Sequence, residues 1–217
     1  VQKEVFEGSR ASGVTVLRKG QTDVISCQRE VILSAGAFQS PQILMLSGIG
    51  PAHHLKDHGL PVVANAPEVG QNLQDHVDFI LSYGVNTKDV FGIGGSAALN
   101  LIKGMWQWRR DGSGIIASNF AEAGAFFSVG SDGPDWPDTQ LHFAVARIED
   151  HARKLFWGYG ISCHACVLRP NSRGHVALVD TDANTAPRID PQFLTAPEDI
   201  DMLIKATRKM HSLMMTP

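Results

Sequence analysis

The sequence lacks a long apolar run, an excess of basic charge and an even set of cysteines. No apolar stretch approaches the roughly 20 residues that a transmembrane helix needs. The net charge is −3, which gives no reason to expect nucleic acid as a partner, because nucleic acid selects basic surfaces. With 217 residues, of which 43% are hydrophobic and 19% charged, the chain has the composition of a globular protein with a sizeable core.

The three cysteines are Cys27, Cys163 and Cys166. Their odd, low number argues against a disulfide framework and favours a reducing compartment, so we predict a cytoplasmic location. Cys163 and Cys166 fall on a predicted strand, where residues three apart point to opposite faces. They cannot share one metal ion, and we predict no metal site.

The chain begins on Val1 rather than Met, and it ends on Pro217 directly after a helical pattern. We interpret it as an internal fragment of a longer protein.

The first third of the sequence contains a hairpin, a buried strand and a short helix. Two alternating runs, Val14–Leu17 and Val24–Cys27, flank a turn and predict the hairpin. The continuous apolar run Glu30–Leu33 predicts a strand covered on both faces. Ser40 and Pro41 then suit the N-cap and first position of a helix that Gly48 ends.

The rest of the sequence predicts strands and two longer helices. Helical spacing covers Leu99–Arg109, and Thr195 with Glu198 forms a capping-box pair before a final helix. The predicted strands are Phe120–Ser128, Gln140–Arg147, Tyr159–Leu168 and His175–Val179, with a loop at Gly133–Pro137. This order favours a mixed α/β and α+β fold, in which a parallel nucleotide-binding sheet precedes a largely antiparallel one.

One short motif resembles a dinucleotide fingerprint but lacks its context. Gly92, Gly94 and Ala97 match the loose pattern, and Asp111 follows about twenty residues on. No buried strand precedes the motif, and Asp111 follows a helical pattern instead of ending a strand. We therefore interpret it as an ordinary Gly-rich loop.

Two long strings resemble signatures of the glucose–methanol–choline (GMC) oxidoreductase family. Residues 36–51 read GAFQSPQILMLSGIGP and residues 69–76 read VGQNLQDH. Mixed strings of this length do not match by chance. Weaker matches keep the family order at Ser118–Gly124, Leu168–Gly174 and Pro187–Leu194. The sequence is most similar to bacterial choline-dehydrogenase-like and aliphatic-alcohol-dehydrogenase-like members.

This resemblance implies FAD as cofactor and two incomplete domains. Residues 1–76 correspond to the end of a Rossmann-like FAD-binding domain, and residues 77–217 to a substrate domain. In the family, a C-terminal His takes the hydroxyl proton while hydride passes to the flavin. That His would follow Pro217, and the phosphate-binding GxGxxG would precede Val1. None of the nine histidines matches the catalytic motif, so we predict no catalytic residue here and an inactive fragment.

Several positions correspond to family residues near the cofactor. They are Val1 at the adenine end, Ala35, Gly36 and Ala37 at a strand end, and Asn72, Asp75 and His76 in a loop near the flavin. Two structural alternatives remain. Small residues can serve close packing, and Asn72 and Asp75 can serve local turn bonding.

Glu122 is the candidate for binding the substrate. It lies in an apolar predicted strand, where an unpaired carboxylate is costly. The matching Glu of choline-oxidising relatives faces the trimethylammonium group. An ion pair with a nearby Arg is the alternative. The four tryptophans, Trp106, Trp108, Trp136 and Trp157, could form an aromatic cage or pack structurally.

The resemblance implies oxidation of a primary alcohol, choline or an aliphatic alcohol, to its aldehyde by the full-length parent. Its partners would be the small alcohol and an electron acceptor that the sequence does not identify. A hydroxynitrile lyase, an oxidase, and a folded module without activity or cofactor are the alternatives. Peripheral association of the parent with the inner membrane is the alternative to a purely cytoplasmic location.

Overall fold

Four α-helices and twelve strands form the part of the chain that the computed structural model describes, residues 1–130, 136–148 and 153–216. The helices are α1 Gly36–Leu46, α2 Ala52–Asp57, α3 Gly95–Asp111 and α4 Pro197–Met214, with a 3-10 turn at Ile115–Ala117. The strands are β1 Lys3–Glu7, β2 Arg10–Arg18, β3 Gln21–Ser26, β4 Ile49–Gly50, β5 Ala64–Asn65, β6 Val77–Val85, β7 Gly92–Ile93, β8 Ala121–Phe127, β9 Thr139–Ala144, β10 Gly158–Val167, β11 His175–Ala177 and β12 Arg188–Asp190. The loop predicted at Gly133–Pro137 lies largely outside the described residues.

The described residues divide into two compact units. The first combines residues 1–75 with 172–195, and the second combines described residues of 76–171 and 196–217. The sequence predicts a boundary after residue 76 and places residues 172–195 in the second domain, whereas in the structure this segment belongs to the first unit.

The first unit opens with a three-stranded antiparallel sheet in the order β1-β2-β3. The hairpin predicted for β2 and β3 is confirmed, with Arg18 paired to Gln21 across a two-residue turn. Both turn residues, Lys19 and Gly20, have positive φ (51° and 80°), as the type I′ turn that suits strand twist requires.

Helix α1 supplies two of the four side chains of the first unit's buried core cluster. Its side chains Met45 and Leu46 are buried with Leu55 and Leu178. The prediction of its end is confirmed, because Gly48 follows the helix with φ +87°. The prediction of its start at Ser40 and Pro41 is wrong. The helix begins five residues earlier, at Gly36, and the Ser40 Oγ instead accepts a hydrogen bond from the Ala35 N–H (3.0 Å).

The strand predicted at Glu30–Leu33 does not form. These residues have no regular structure, and Ile32 is 78% exposed. A strand needs a neighbour for its backbone groups, and no strand among the described residues pairs with this segment. Parallel pairing in the described residues is confined to β4 and β5.

The second unit is built on an antiparallel sheet in the order β6-β10-β9-β8, with β7 beside one end of β10. Helix α4 covers one face, where Met210 and Ala206 pack on Leu141, Cys163 and Ala165. The mixed fold class with a largely antiparallel second sheet is therefore confirmed.

The second unit confirms two local predictions and contradicts a third. Strand β10 is confirmed, and successive side chains alternate so that Cys163 faces α4; all three cysteines are free. Helix α3 is confirmed and extends to Asp111. The capping box is wrong, because α4 begins at Pro197 without a side-chain cap and the Thr195 hydroxyl donates to the Gln192 carbonyl (2.9 Å) instead.

Candidate functional site

The start of α1 presents open backbone to its surroundings. No side chain caps this end, and its first turn contains no acidic residue. Gly36 has φ +84°, and a β-carbon built there would meet no atom within 4 Å. Ala35, Gly36 and Ala37 line a cavity of about 390 Å³ at this end. Free N–H groups at a helix start favour an electronegative ligand.

Three further cavities bring most of the predicted cofactor residues to this helix end. Ala37 and Asn72 line one of about 460 Å³, and Ala37 and Asp75 line one of about 290 Å³. Val1 and Ala35 line a third, of about 570 Å³. His76 is exposed, begins the second unit and lines none of these cavities.

The loop that carries Asn72 is held to a second segment of the first unit. The Val176 N–H donates to the Gly70 carbonyl (2.6 Å), and Leu73 and Gly174 exchange two hydrogen bonds of 2.9 Å. A β-carbon at Gly70 would collide with the Val176 carbonyl. Asn72 has φ 61°, which asparagine tolerates better than most residues, so its backbone role stands beside any contact with cofactor.

Glu122 occupies a β-bulge in the edge strand β8. Ala121 pairs with Ala144 and Ala123 with Phe143, so Glu122 is the extra residue between them. A bulge re-aims its side chain, and Glu122 lines a cleft of about 480 Å³ with Lys88, Lys103, Asn100 and Gln107, among others.

The surroundings of Glu122 correct one expectation. The expected cost of a buried carboxylate does not arise, because β8 is an edge strand and Glu122 is exposed. Among the residues that the structure describes, no Arg forms the ion pair that was the alternative role of Glu122. The bulge could not be recognised from the sequence, because its position depends on the register with β9.

An Asp–His pair on the same sheet escaped the sequence interpretation. The His164 Nδ1 lies 2.6 Å from the Asp78 Oδ2, which joins β10 to β6. His142 is the cross-strand neighbour of His164 on β9. The alternation along β10 could have indicated that His164 and Cys163 point to opposite faces.

The four tryptophans are each more than half exposed, between 55% and 83%. Their cationic neighbours belong to the chain itself: the Arg110 guanidinium lies 5.6 Å from the Trp106 ring centroid, and that of Arg169 lies 5.8 Å from Trp136. Because all four indole rings are exposed, the structure gives no support to an aromatic cage.

The described residues contain no group of three or more His, Cys, Asp or Glu side chains that could hold a metal ion. None of the described helices combines the length and apolar character needed to cross a membrane.

Profiles of the GMC oxidoreductase family match residues 1–78 and 170–217. The chain is 40% identical to an alcohol dehydrogenase [acceptor] of Pseudomonas putida over 93% of its own length and 37% of that protein's. It is 38% identical to an oxygen-dependent choline dehydrogenase of Rhizobium etli, over 90% of this chain and 35% of that protein. The chain thus spans little more than a third of the length of these relatives.

A solved structure has the same fold as this chain. The crystal structure of formate oxidase superposes with a TM-score of 0.86 and 25% identity, covering 98% of this chain and 42% of that one.

FAD is the cofactor of this group of flavoenzymes. The uncapped start of α1 and the open backbone at Gly36 fit the electronegative groups of such a cofactor. The two profiles, the two dehydrogenases and the shared fold agree: the chain belongs to the glucose–methanol–choline (GMC) oxidoreductase family.

Proposed function

We propose that the full-length protein containing this chain oxidises a small primary alcohol, choline or an aliphatic alcohol, to its aldehyde. The relatives that match most of this chain are an alcohol dehydrogenase and choline dehydrogenases. In the overall reaction the alcohol carbon loses a hydride and its hydroxyl loses a proton. Bound FAD supplies the acceptor for the hydride.

The observation that carries this proposal is the placement of Glu122. A bulge turns its carboxylate into a cleft whose other walls come from α3 and from the loop at Lys88. A carboxylate suits an alcohol that carries a quaternary ammonium group, because such a group offers no hydrogen bond and is held by charge alone.

We propose that the predicted cofactor residues contact FAD through their backbone groups and through the space that small residues leave. Ala35, Gly36 and Ala37 provide small side chains at an uncapped helix start, where a ring system can approach the backbone. Asn72 and Asp75 line the neighbouring cavities. Val1 and His76 are the remaining proposed contacts, at the adenine end and near the flavin.

Anaerobic mixing of the full-length flavoprotein with choline and with aliphatic alcohols tests the reaction class. We expect loss of the visible flavin absorbance and formation of one aldehyde per flavin. A flavin that stays oxidised under every alcohol, with release of an aldehyde from a cyanohydrin, would establish the non-redox lyase instead. Peroxide release under air would identify an oxidase.

The role of Glu122 is tested by pairing substrates with variants. Glu122→Gln should raise KM for choline by about tenfold, the factor for loss of one charged contact. Its effect on the neutral isostere 3,3-dimethylbutan-1-ol should be small, and Glu122→Asp should retain part of the choline preference. Glu68→Gln, which also removes an exposed carboxylate, is the control and should change neither KM. Equal effects of Glu122→Gln on both substrates would remove the charge role.

The chain by itself is proposed not to oxidise alcohols, because it spans little more than a third of its relatives. Incubation of the purified chain with FAD and alcohol should give no aldehyde. A rise in melting temperature with added FAD would show that the start of α1 retains affinity for the cofactor. No such rise would favour a folded module without cofactor.

A further inference from the structure

The cleft at Glu122 carries positive as well as negative charge. Lys88 and Lys103 line it together with Asp89 and Glu122, so two ammonium groups and two carboxylates surround one space of about 480 Å³. The four charges balance, although they come from different segments of the chain. A site for a lone cation does not require two lysines, and the lysine pair therefore needs an explanation of its own.

The two lysines lie on the same wall of the cleft. Asn100, Lys103 and Gln107 follow one another at spacings of three and four along α3, which places them on one side of the helix. The Asn100 Nδ2 donates a hydrogen bond to the Lys88 carbonyl (2.9 Å) and holds Lys88 beside that side. Glu122 enters the cleft from the bulge in β8. Positive charge therefore lines one wall, and the carboxylate of Glu122 extends from another.

Three of the four charged side chains are without a partner in the described part of the chain. Among residues 1–130, 136–148 and 153–216, the side chains of Lys88, Lys103 and Glu122 form no hydrogen bond and no ion pair. Asp89 differs, because its Oδ2 accepts a hydrogen bond from the Thr87 hydroxyl (2.8 Å). The two ammonium groups and the Glu122 carboxylate are therefore available to charged groups of a ligand.

This distribution of charge selects a class of ligand. A lone cation such as choline is attracted by Glu122 and repelled by both lysines. A molecule that carries a cationic and an anionic group can satisfy both walls at once, and the repulsion that it avoids adds to its advantage over choline.

We propose that the Glu122 cleft takes a zwitterionic alcohol, with Glu122 against its quaternary ammonium group and Lys88 and Lys103 against a carboxylate. The two lysines are then specificity-determining residues, and they take no part in the transfer of the hydride or of the hydroxyl proton. This inference rests on the proposed oxidation of an alcohol and names the substrate class for that same cleft.

Three alcohols of similar shape test the proposal on the full-length flavoprotein. They are choline, a choline analogue in which a carboxymethyl group replaces one methyl, and the neutral 3,3-dimethylbutan-1-ol. Anaerobic flavin reduction gives KM and kcat for each. We expect KM for the carboxymethyl analogue to be at least about fivefold below KM for choline, the factor for one exposed charged contact.

Variants of the lysines should reverse this preference. Lys103→Gln, and separately Lys88→Gln, should raise KM for the carboxymethyl analogue and lower KM for choline, each by up to about fivefold. KM for the neutral alcohol should change less than either. Lys103→Arg keeps the charge and should retain the preference. Lys209→Gln removes an exposed lysine from α4, outside the cleft, and is the matched control that should leave all three values as they are.

Two results would overturn the proposal. One is a wild-type protein that prefers choline to the carboxymethyl analogue. The other is an equal change of all three KM values in Lys103→Gln, which would assign a role in shape rather than in charge.

Calorimetric titration of the oxidised protein with the same compounds separates this inference from the proposed function. A protein that oxidises none of the alcohols, but binds the carboxymethyl analogue more tightly than choline in a manner that depends on the lysines, would refute the oxidation and uphold the cleft's selectivity. Oxidation of the alcohols with no dependence on Lys88 or Lys103 would do the opposite.

Discussion

The two long helices of the second unit are alike in length and opposite in what covers their apolar side. Helix α4 packs Ala206 and Met210 fully buried on the sheet, whereas α3 leaves Leu99, Ile102 and Trp106 open. Both helices are amphipathic, and the sequence predicts both. The comparison shows that periodicity determines that a helix forms, while a neighbouring surface determines which side of it is covered.

The largest expected difference in stability is between truncations of one methionine on each helix. Met210→Ala removes a fully buried side chain that packs on Leu141 and Cys163, and it should lower the free energy of unfolding by about 2–5 kcal/mol. Met105→Ala removes a side chain that is half exposed and should change it by less than about 0.5 kcal/mol. Urea denaturation followed by tryptophan fluorescence reports on this unit, because all four tryptophans lie in it. Equal losses would show that α3 is packed as tightly as α4.

Two glycines of α3 give the next effect and test which side of this helix is packed. A β-carbon at Gly104 would approach the Ile115 Cγ2 to 2.8 Å, whereas one at Gly95 meets nothing within 4 Å. Gly104→Ala should therefore destabilise the unit by about 1 kcal/mol despite its better helix propensity. Gly95→Ala should stabilise it by a few tenths, up to about 1 kcal/mol. Thermal melting of both variants checks the prediction, and stabilisation by Gly104→Ala would contradict it.

The smallest effect concerns the contact that ties α4 to β6. The Tyr83 hydroxyl lies 3.0 Å from the His211 Nδ1. Burial, and secondarily the charge of Cys163, raise the pKa of Tyr83 above its ordinary value of 10.0. The folded state thus prefers the neutral phenol, so stability is lost as pH rises from the unfolded pKa through the raised folded pKa. Tyr83→Phe should flatten the decline of melting temperature above pH 10, while His211→Ala should keep most of it. An unchanged alkaline decline in Tyr83→Phe would assign it to other groups.

Much of the local structure could be predicted from residue patterns. The Lys19–Gly20 turn, the left-handed Gly48 and the period of α3 follow from short-range chemistry that needs no distant partner. The capping box failed because Thr195 lies one residue before the N-cap, Ala196. The strand at Glu30–Leu33 failed for a different reason: an apolar run becomes a strand only beside another strand.

The site was less predictable than the helices. The residues Ala35 to Ala37, Asn72 and Asp75 came from family strings, and the structure groups them around the start of α1. The bulge at Glu122 and the His164–Asp78 pair depend on strand register, which joins residues more than twenty and more than eighty positions apart. The sequence also could not show that the apolar side of α3 is exposed, because periodicity does not indicate which side of a helix faces the protein.

The polar side of α3 also has a consequence for the cleft at Glu122. Through Asn100, Lys103 and Gln107 this side is a wall of that cleft. A substitution that shifts the helix, such as Gly104→Ala, would therefore change the shape of the cleft as well as the stability of the unit.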